Sequence, residues 1–165
     1  MNKTKRTAVS ALLCALAAVI MHAGSFFGKI DIATAVAASL CVAVGLAEFG
    51  YKNAICIYLV TGLISVLFLP SKVPAVLFTA FFGYYPILKM YLDYNISRIK
   101  AYVLKIAVFN FSLALMVVIT VAFFAKLSFL IIAMIFIASN LVFPLFDMAV
   151  SSAMEIYYQK IKKRK

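Results

Sequence analysis

Long apolar runs, cut off by charges, prolines and glycines, occupy nearly the whole chain. There are six, covering residues 7–27, 32–49, 53–69, 73–92, 101–125 and 127–148. A helix crossing a hydrocarbon layer needs about 20 mostly apolar residues, so each run reads as one crossing. The pattern predicts an all-α, polytopic membrane protein: a compact bundle of six transmembrane helices in a single domain over residues 1–165. The links are GKID, GYK, PSK, DYNISRIK and the single Lys126, tight enough to make consecutive helices antiparallel neighbours. The third run is short, and the helicity of the last is expected to continue into SSAMEIYYQKIKKRK.

Composition agrees with the pattern. Of 165 residues, 67% are hydrophobic and 13% charged, and the mean hydropathy is +1.11. Soluble domains are about half apolar, so this chain has too little polar side chain to cover a water-facing surface.

Charge then sets the orientation. The net charge of +11 points to cytoplasmic loops and anionic membrane lipids. Nucleic-acid binding would need an exposed basic domain, and none is present. With a cytoplasmic N-terminus, six crossings place Lys3, Lys5, Arg6, Lys52, Lys89, Arg98, Lys100, Lys105 and the five basic residues from Lys160 onward on the inside. Lys29, Lys72 and Lys126 fall outside. That division, 13 against 3 of the 16 basic residues, follows the positive-inside rule and puts both termini in the cytoplasm. The basic start and first apolar run imitate a secretory signal. However, the run exceeds a typical signal core of roughly 7–15 residues, and Met21 occupies the −3 position of a cleavage site near Ala23. It reads as a retained first helix.

The stretch FFGYYPILKMYLDY, residues 81–94, interrupts the apolar pattern with a proline, a lysine and tyrosines. At this topology it is the cytoplasmic end of the fourth helix. Tyr84, Tyr85, Tyr91 and Tyr94 form an aromatic belt, Lys89 snorkels to the headgroups, and Pro86 kinks the helix. The sixth helix carries FPLFDMAV, so Asp147 follows Pro144 at the spacing at which Lys89 follows Pro86. Lys89 and Asp147 are therefore either independent interfacial charges or a paired structural lock, which Asn110 would be placed to join.

Enzyme chemistry finds little to stand on, and no cofactor or metal is expected. His22 is the only histidine, no HExxH, GxSxG or phosphate-cradling glycine loop occurs, and the five acids are dispersed along helix ends. Glu48 and Lys52 have the spacing of a helical ion pair. Cys14, Cys41 and Cys56 match neither a zinc site nor a redox pair and read as small apolar fillers.

Small residues carry more. Ala8, Ala11, Ala15 and Ala18 form one stripe on the first helix, and the second has Ala33, Ala37, Ser39 and Gly45. Such stripes let helix backbones approach closely, either inside the bundle or against another membrane protein. On the outer side His22, Ser25, Lys29, Asp31 and Thr34 gather near the first two helices, with Ser71 and Lys72 in the second outer loop. Lys126 and Ser128 come from the third. These groups either hold a small polar ligand at the mouth of the bundle or satisfy helix ends, Asp31 by capping the second helix.

Six helices, cytoplasmic ends, a basic start and the ALLCA motif (Ala11 and Ala15) resemble the substrate-binding S component of an energy-coupling-factor transporter. The segment KIDIATAVAASLCVAVGLAEFGYKNAICIYLVTGLISVLFLP is similar to that family's second and third helices. The resemblance implies that Ala11 and Ala15 dock onto a transmembrane coupling subunit bearing ATPases. It also implies a vitamin-like ligand or metal ion bound near the outer face, and residence in a bacterial plasma membrane. The first outer loop, GSFFGKID, is shorter than the ligand-covering loop of many members. The alternatives are a non-transporting membrane scaffold, assembly or envelope protein, and a stand-alone ion-coupled carrier. The last is disfavoured because the charges cluster at helix ends rather than at mid-depth.

Overall fold

The computed structural model describes residues 3–28, 30–123 and 128–160. These are helical, with no strand among them. The elements are α1 (Lys3–Ser25), α2 (Asp31–Phe49), α3 (Tyr51–Phe68), α4 (Val73–Leu77), a π-helical segment (Phe78–Phe82), α5 (Tyr85–Asn95), α6 (Arg98–Phe123) and α7 (Phe129–Lys160). With α4, the π segment and α5 forming one span, Val73–Asn95, six helices are long and apolar enough to cross a membrane. The chain is a multi-pass membrane protein. Contacts divide it into two units, residues 1–90 with 150–165 and residues 91–149.

In the first unit α2 is the hub, touching α1, α3, α4 and the π segment. Of the small residues expected to pack, Ser39 and Gly45 are buried, Ala37 is half-buried and Ala33 is exposed; Ala35 and Ala38 are buried beside them. A Cβ on Gly24 would lie 2.2 Å from Thr34 Cγ2, and one on Gly45 would lie 2.3 Å from Ile57 Cδ1 and 3.7 Å from Leu13 Cδ1. At these glycines the space a Cβ would take is filled by the side chains of Thr34 and Ile57. These contacts also fix direction. Gly24 meets Thr34 and Leu13 meets Gly45, so α1 and α2 are antiparallel. Asn53 donates to Ser10 and Cys14 to the Ile57 carbonyl at one offset of 43 residues, so α1 and α3 run parallel.

Gly50 alone separates α2 from α3. Its φ of 77° lies in the left-handed region that glycine enters at little cost. Its N–H donates to the Leu46 carbonyl at 3.0 Å, and its own carbonyl accepts from Ala54 N–H at 3.2 Å. The break also removes the i,i+4 geometry expected for Glu48 and Lys52. Glu48, the penultimate residue of α2, accepts a hydrogen bond from Tyr157 on α7. Arg6 donates to the Phe49 carbonyl and lays its guanidinium over the Phe49 ring, 5.8 Å from the centroid. A cation thereby sits at the negative end of the α2 dipole.

The fourth span differs from the proline-kinked helix expected. Its irregularity lies before the proline, in the wide turn Phe78–Phe82, where Gly83 N–H donates to the Phe78 carbonyl at 2.7 Å, five residues back. Pro86 is the second residue of α5, a first-turn position whose N–H has no helical acceptor in any case. Pro144, by contrast, lies within α7 without ending it. The two prolines thus play different parts despite their similar sequence setting.

The second unit is organised along α6 and α7. Lys105 faces Asp147, Phe109 stacks on Phe143 with ring centroids 4.7 Å apart, and Asn110 faces Asn140. Ascending α6 descends α7, so the two helices are antiparallel.

Candidate functional site

Where α1 and α3 end, the first unit carries an open groove of about 650 Å³, lined by residues that include Ala18, His22, Phe26, Ile64, Phe68 and Leu69. At the end of α1 the Ser25 hydroxyl donates to the His22 carbonyl at 2.7 Å, and Phe27 N–H donates to the Gly24 carbonyl at 3.0 Å in the turn that follows. Gly28 follows with φ 59°. Phe26, Phe27 and Phe68 are exposed and rim the groove. The His22 ring meets Phe26 edge-on at 5.2 Å, and its imidazole is the sole titratable group among the described lining residues, which are otherwise apolar.

Of the outer polar residues expected to hold a ligand, His22 is the one among the described residues that lines this groove. Lys29 lies outside the described residues. Asp31 is the first residue of α2 rather than its cap, a position held by Ile30. Its carboxylate stands at the positive end of the helix, with a buried Oδ1 that has no hydrogen-bond partner among the described residues. Ser71 is half-buried in the link between α3 and α4. Lys72 folds back onto the end of α3, its Nζ donating to the Val66 carbonyl at 2.8 Å and that of Leu67 at 3.4 Å. A cation there satisfies carbonyls that the helix leaves open. Lys126, also expected at this side, is outside the described residues.

The alanine stripe of α1 resolves into a face. Ala8, Ala11 and Ala15 are exposed, whereas Cys14, Ala17 and Met21 on the other side are buried. Ala8, Ala11 and Ala15 of α1 therefore look outward, while Ala17 faces the core with Ala35 and Ala38 of α2.

The charges contain a correction. Lys89 was expected to reach headgroups, yet its side chain is buried, with 5% exposed. It is packed into protein, where an ammonium persists only with compensating polar contacts. In the second unit Lys105 Nζ lies 3.7 Å from Asp147 Oδ1. The same Nζ lies 2.6 Å from Asp93 Oδ1 on α5. Exposure of the three side chains is 5% for Lys105, 16% for Asp147 and 45% for Asp93. Sequence reasoning counted Lys105 only as a loop-side charge. The signal that marks it is its position, seven residues into α6, too far from Arg98 to belong to the link. Asn110, expected near Lys89 and Asp147, pairs instead with Asn140: each amide donates to the other's oxygen at 2.9 Å. Each also donates to a carbonyl four residues back, at 2.9 Å, so all four N–H groups are used.

The aromatic belt divides as well. Tyr91 and Tyr94 are exposed, but Tyr85 is fully buried and packs on Phe81, ring centroids 4.9 Å apart. Tyr58 was not singled out by the sequence. Its hydroxyl donates to the Thr79 carbonyl at 2.8 Å. That carbonyl would serve Gly83 N–H in an α-helix, but the π turn sends Gly83 to Phe78 and leaves Thr79 to Tyr58.

Among the described residues no group of three or more histidine, cysteine or acidic side chains is placed to hold a metal ion. Comparison with protein-family models, curated proteins and solved structures finds no match.

Proposed function

We propose that this chain is the membrane-embedded substrate-binding subunit of an ATP-driven importer of a small, vitamin-like nutrient, docking through α1 on a separate transmembrane coupling subunit. The observation that carries the reading is the outward face of Ala8, Ala11 and Ala15. Lipid chains cover leucine as well as alanine, so packing against lipid gives no reason for three small residues in register. A partner helix does, because small residues let its backbone come close.

The groove at the other end of α1 supports the ligand-binding half. Its volume lies within the roughly 300–1,000 Å³ of small-molecule sites, and its lining favours a largely apolar ligand with one group for His22. The chain carries no nucleotide-binding motif, so ATP hydrolysis belongs to the partner. In this reading both termini are cytoplasmic, in a bacterial plasma membrane. A scaffold without a ligand would use the same alanine face, and the groove is what favours the importer.

The test is co-purification in mild detergent from a native or closely related host, wild type against Ala11→Leu/Ala15→Leu. A membrane coupling subunit and ATPases should accompany the wild type and be lost from the variant. A well-folded wild type that brings down no such module under several mild conditions refutes the importer reading.

A further inference from the structure

Polar side chains gather where α1 and α3 end, yet the groove there receives almost none of them. Ser25 donates to the His22 carbonyl at 2.7 Å, Thr34 to that of Asp31 at 3.0 Å, and Lys72 to those of Val66 and Leu67. Each of these groups serves the backbone of a helix end. The groove itself is walled by Ala18 and Val19 of α1 and by Ile64 and Phe68 of α3, with His22 as the one titratable group among the described lining residues. A strongly hydrophilic solute entering it would exchange water for carbon on nearly every side. Its polar groups would be left unpaired, which is costly.

The position of the groove adds a second constraint. Val19 and Phe68, one from each wall, are exposed, and so are Leu16 on α1 and Leu67 on α3 beside them. Both helices are long and apolar enough to cross the membrane, so hydrocarbon lies against these faces and the groove opens onto it. His22 stands 19 residues after Lys3 on α1, about 28 Å along the axis at 1.5 Å per residue. A hydrocarbon core is about 30 Å thick. The imidazole is therefore at headgroup level, on the side opposite Lys3, Lys5 and Arg6, and Ala18 is about one turn deeper.

We propose that the groove takes a single-chain amphiphile with a carboxylate head from the adjoining leaflet. Its apolar chain lies between α1 and α3 against Ala18, Ile64 and Phe68, and its carboxylate accepts a hydrogen bond from the His22 imidazole. Charge favours an anionic head. His22 is basic, the Lys72 ammonium stands on the last turn of α3, and no acid lines the groove among the described residues. The ordering of the site matches that of the bilayer: apolar wall at the depth of the chains, donor at the depth of the heads. Such a ligand reaches the groove sideways through the membrane rather than from water. The proposal rests on the groove being the ligand site of the importer reading, and it names the class of that ligand.

The test uses the purified full chain in phosphatidylcholine nanodiscs, titrated with spin-labelled stearate and read by electron paramagnetic resonance. A saturable, immobilised component of one stearate per chain is expected, displaced by unlabelled palmitate. Ala18→Leu fills the groove and should abolish that component while leaving the non-saturable signal of boundary lipid. His22→Ala, at an exposed position, should weaken palmitate about tenfold, the loss of one hydrogen bond to a charged group. Hexadecanol, which has the chain without the anion, should compete with the wild type more weakly than palmitate by a similar factor. A wild type that is folded by circular dichroism and shows no saturable component overturns the proposal. So does hexadecanol competing as well as palmitate, or His22→Ala binding as the wild type does. None of these readings needs a coupling subunit. Stearate binding without a co-purified module keeps this site and removes the importer, whereas a co-purified module without stearate binding removes the amphiphile alone.

Discussion

Replacing Tyr58 by phenylalanine removes one oxygen while keeping the ring that packs near Phe78 and Tyr84, with centroids at 6.0 and 6.2 Å. The oxygen donates to the Thr79 carbonyl at 2.8 Å, and that carbonyl has lost its helical donor because Gly83 N–H is engaged with Phe78. Leaving a buried carbonyl unpaired costs about 1–3 kcal/mol, toward the upper end where water is scarce. For a chain of this length about 1 kcal/mol moves the unfolding midpoint by roughly 2–4 °C, so Tyr58→Phe should lower it by several degrees. Circular dichroism in mild detergent measures this, with Tyr94→Phe as control because Tyr94 is 87% exposed. The turn cannot easily relax to α-helical form, since a regular helix would have to repack Gly83. A Cβ there would already stand 2.6 Å from Tyr58 Cδ2 and 2.8 Å from Phe78 Cε1. Amide hydrogen exchange at Gly83 should accordingly rise in the variant. If Tyr58→Phe matches the control in both midpoint and exchange, the hydroxyl does not hold the π turn and the reasoning is wrong.

Two further outcomes concern the second unit. Asn110→Leu leaves Asn140 with an unmatched amide in an apolar seam and should destabilise by about 1–2 kcal/mol, while Asn110→Leu/Asn140→Leu recovers part of the loss. A double variant at least as unstable as the sum of the singles would contradict the reciprocal pair, and thermal unfolding decides it. At the charge cluster, Lys105→Met should destabilise more than Asp93→Asn, because it leaves the poorly exposed Asp147 without that cation whereas Asp93 can turn to solvent. Equal losses in urea or thermal unfolding would mean that burial does not rank these charges.

The spans were legible because hydrophobic runs report the hydrocarbon thickness directly. The run at residues 32–49 became α2, Asp31–Phe49, and the expected extension of the last run is present as α7 to Lys160. Other features depend on partners distant in sequence. Nothing near residue 79 announces a π turn, since its freed carbonyl is satisfied by Tyr58, 21 residues away. Tyrosine identity alone cannot separate Tyr85 in the core from Tyr94 at the surface. Nothing in the sequence near residue 105 marks the partners of Lys105, whose role follows from the pairing of α6 with α7. Alanine spacing showed a stripe on α1, but only the neighbouring helices determine that Ala11 and Ala15 look outward. That Lys72 serves the end of α3 depends on where the chain turns after Leu69.

The bond from Arg6 to the Phe49 carbonyl also bears on the order in which the protein is built. Arg6 leaves the ribosome 43 residues ahead of its acceptor, so the first helix must wait in the bilayer until the second has nearly been completed. When Phe49 emerges, that contact joins the packing of Gly24 on Thr34 and Leu13 on Gly45 in closing the first hairpin, at the end where Gly50 immediately sends the chain into α3. The third helix would then be laid parallel to the first onto a finished pair. Charge reversal at Arg6 should therefore show itself during membrane insertion, as a hairpin slow to close, before any effect on the finished fold is measured.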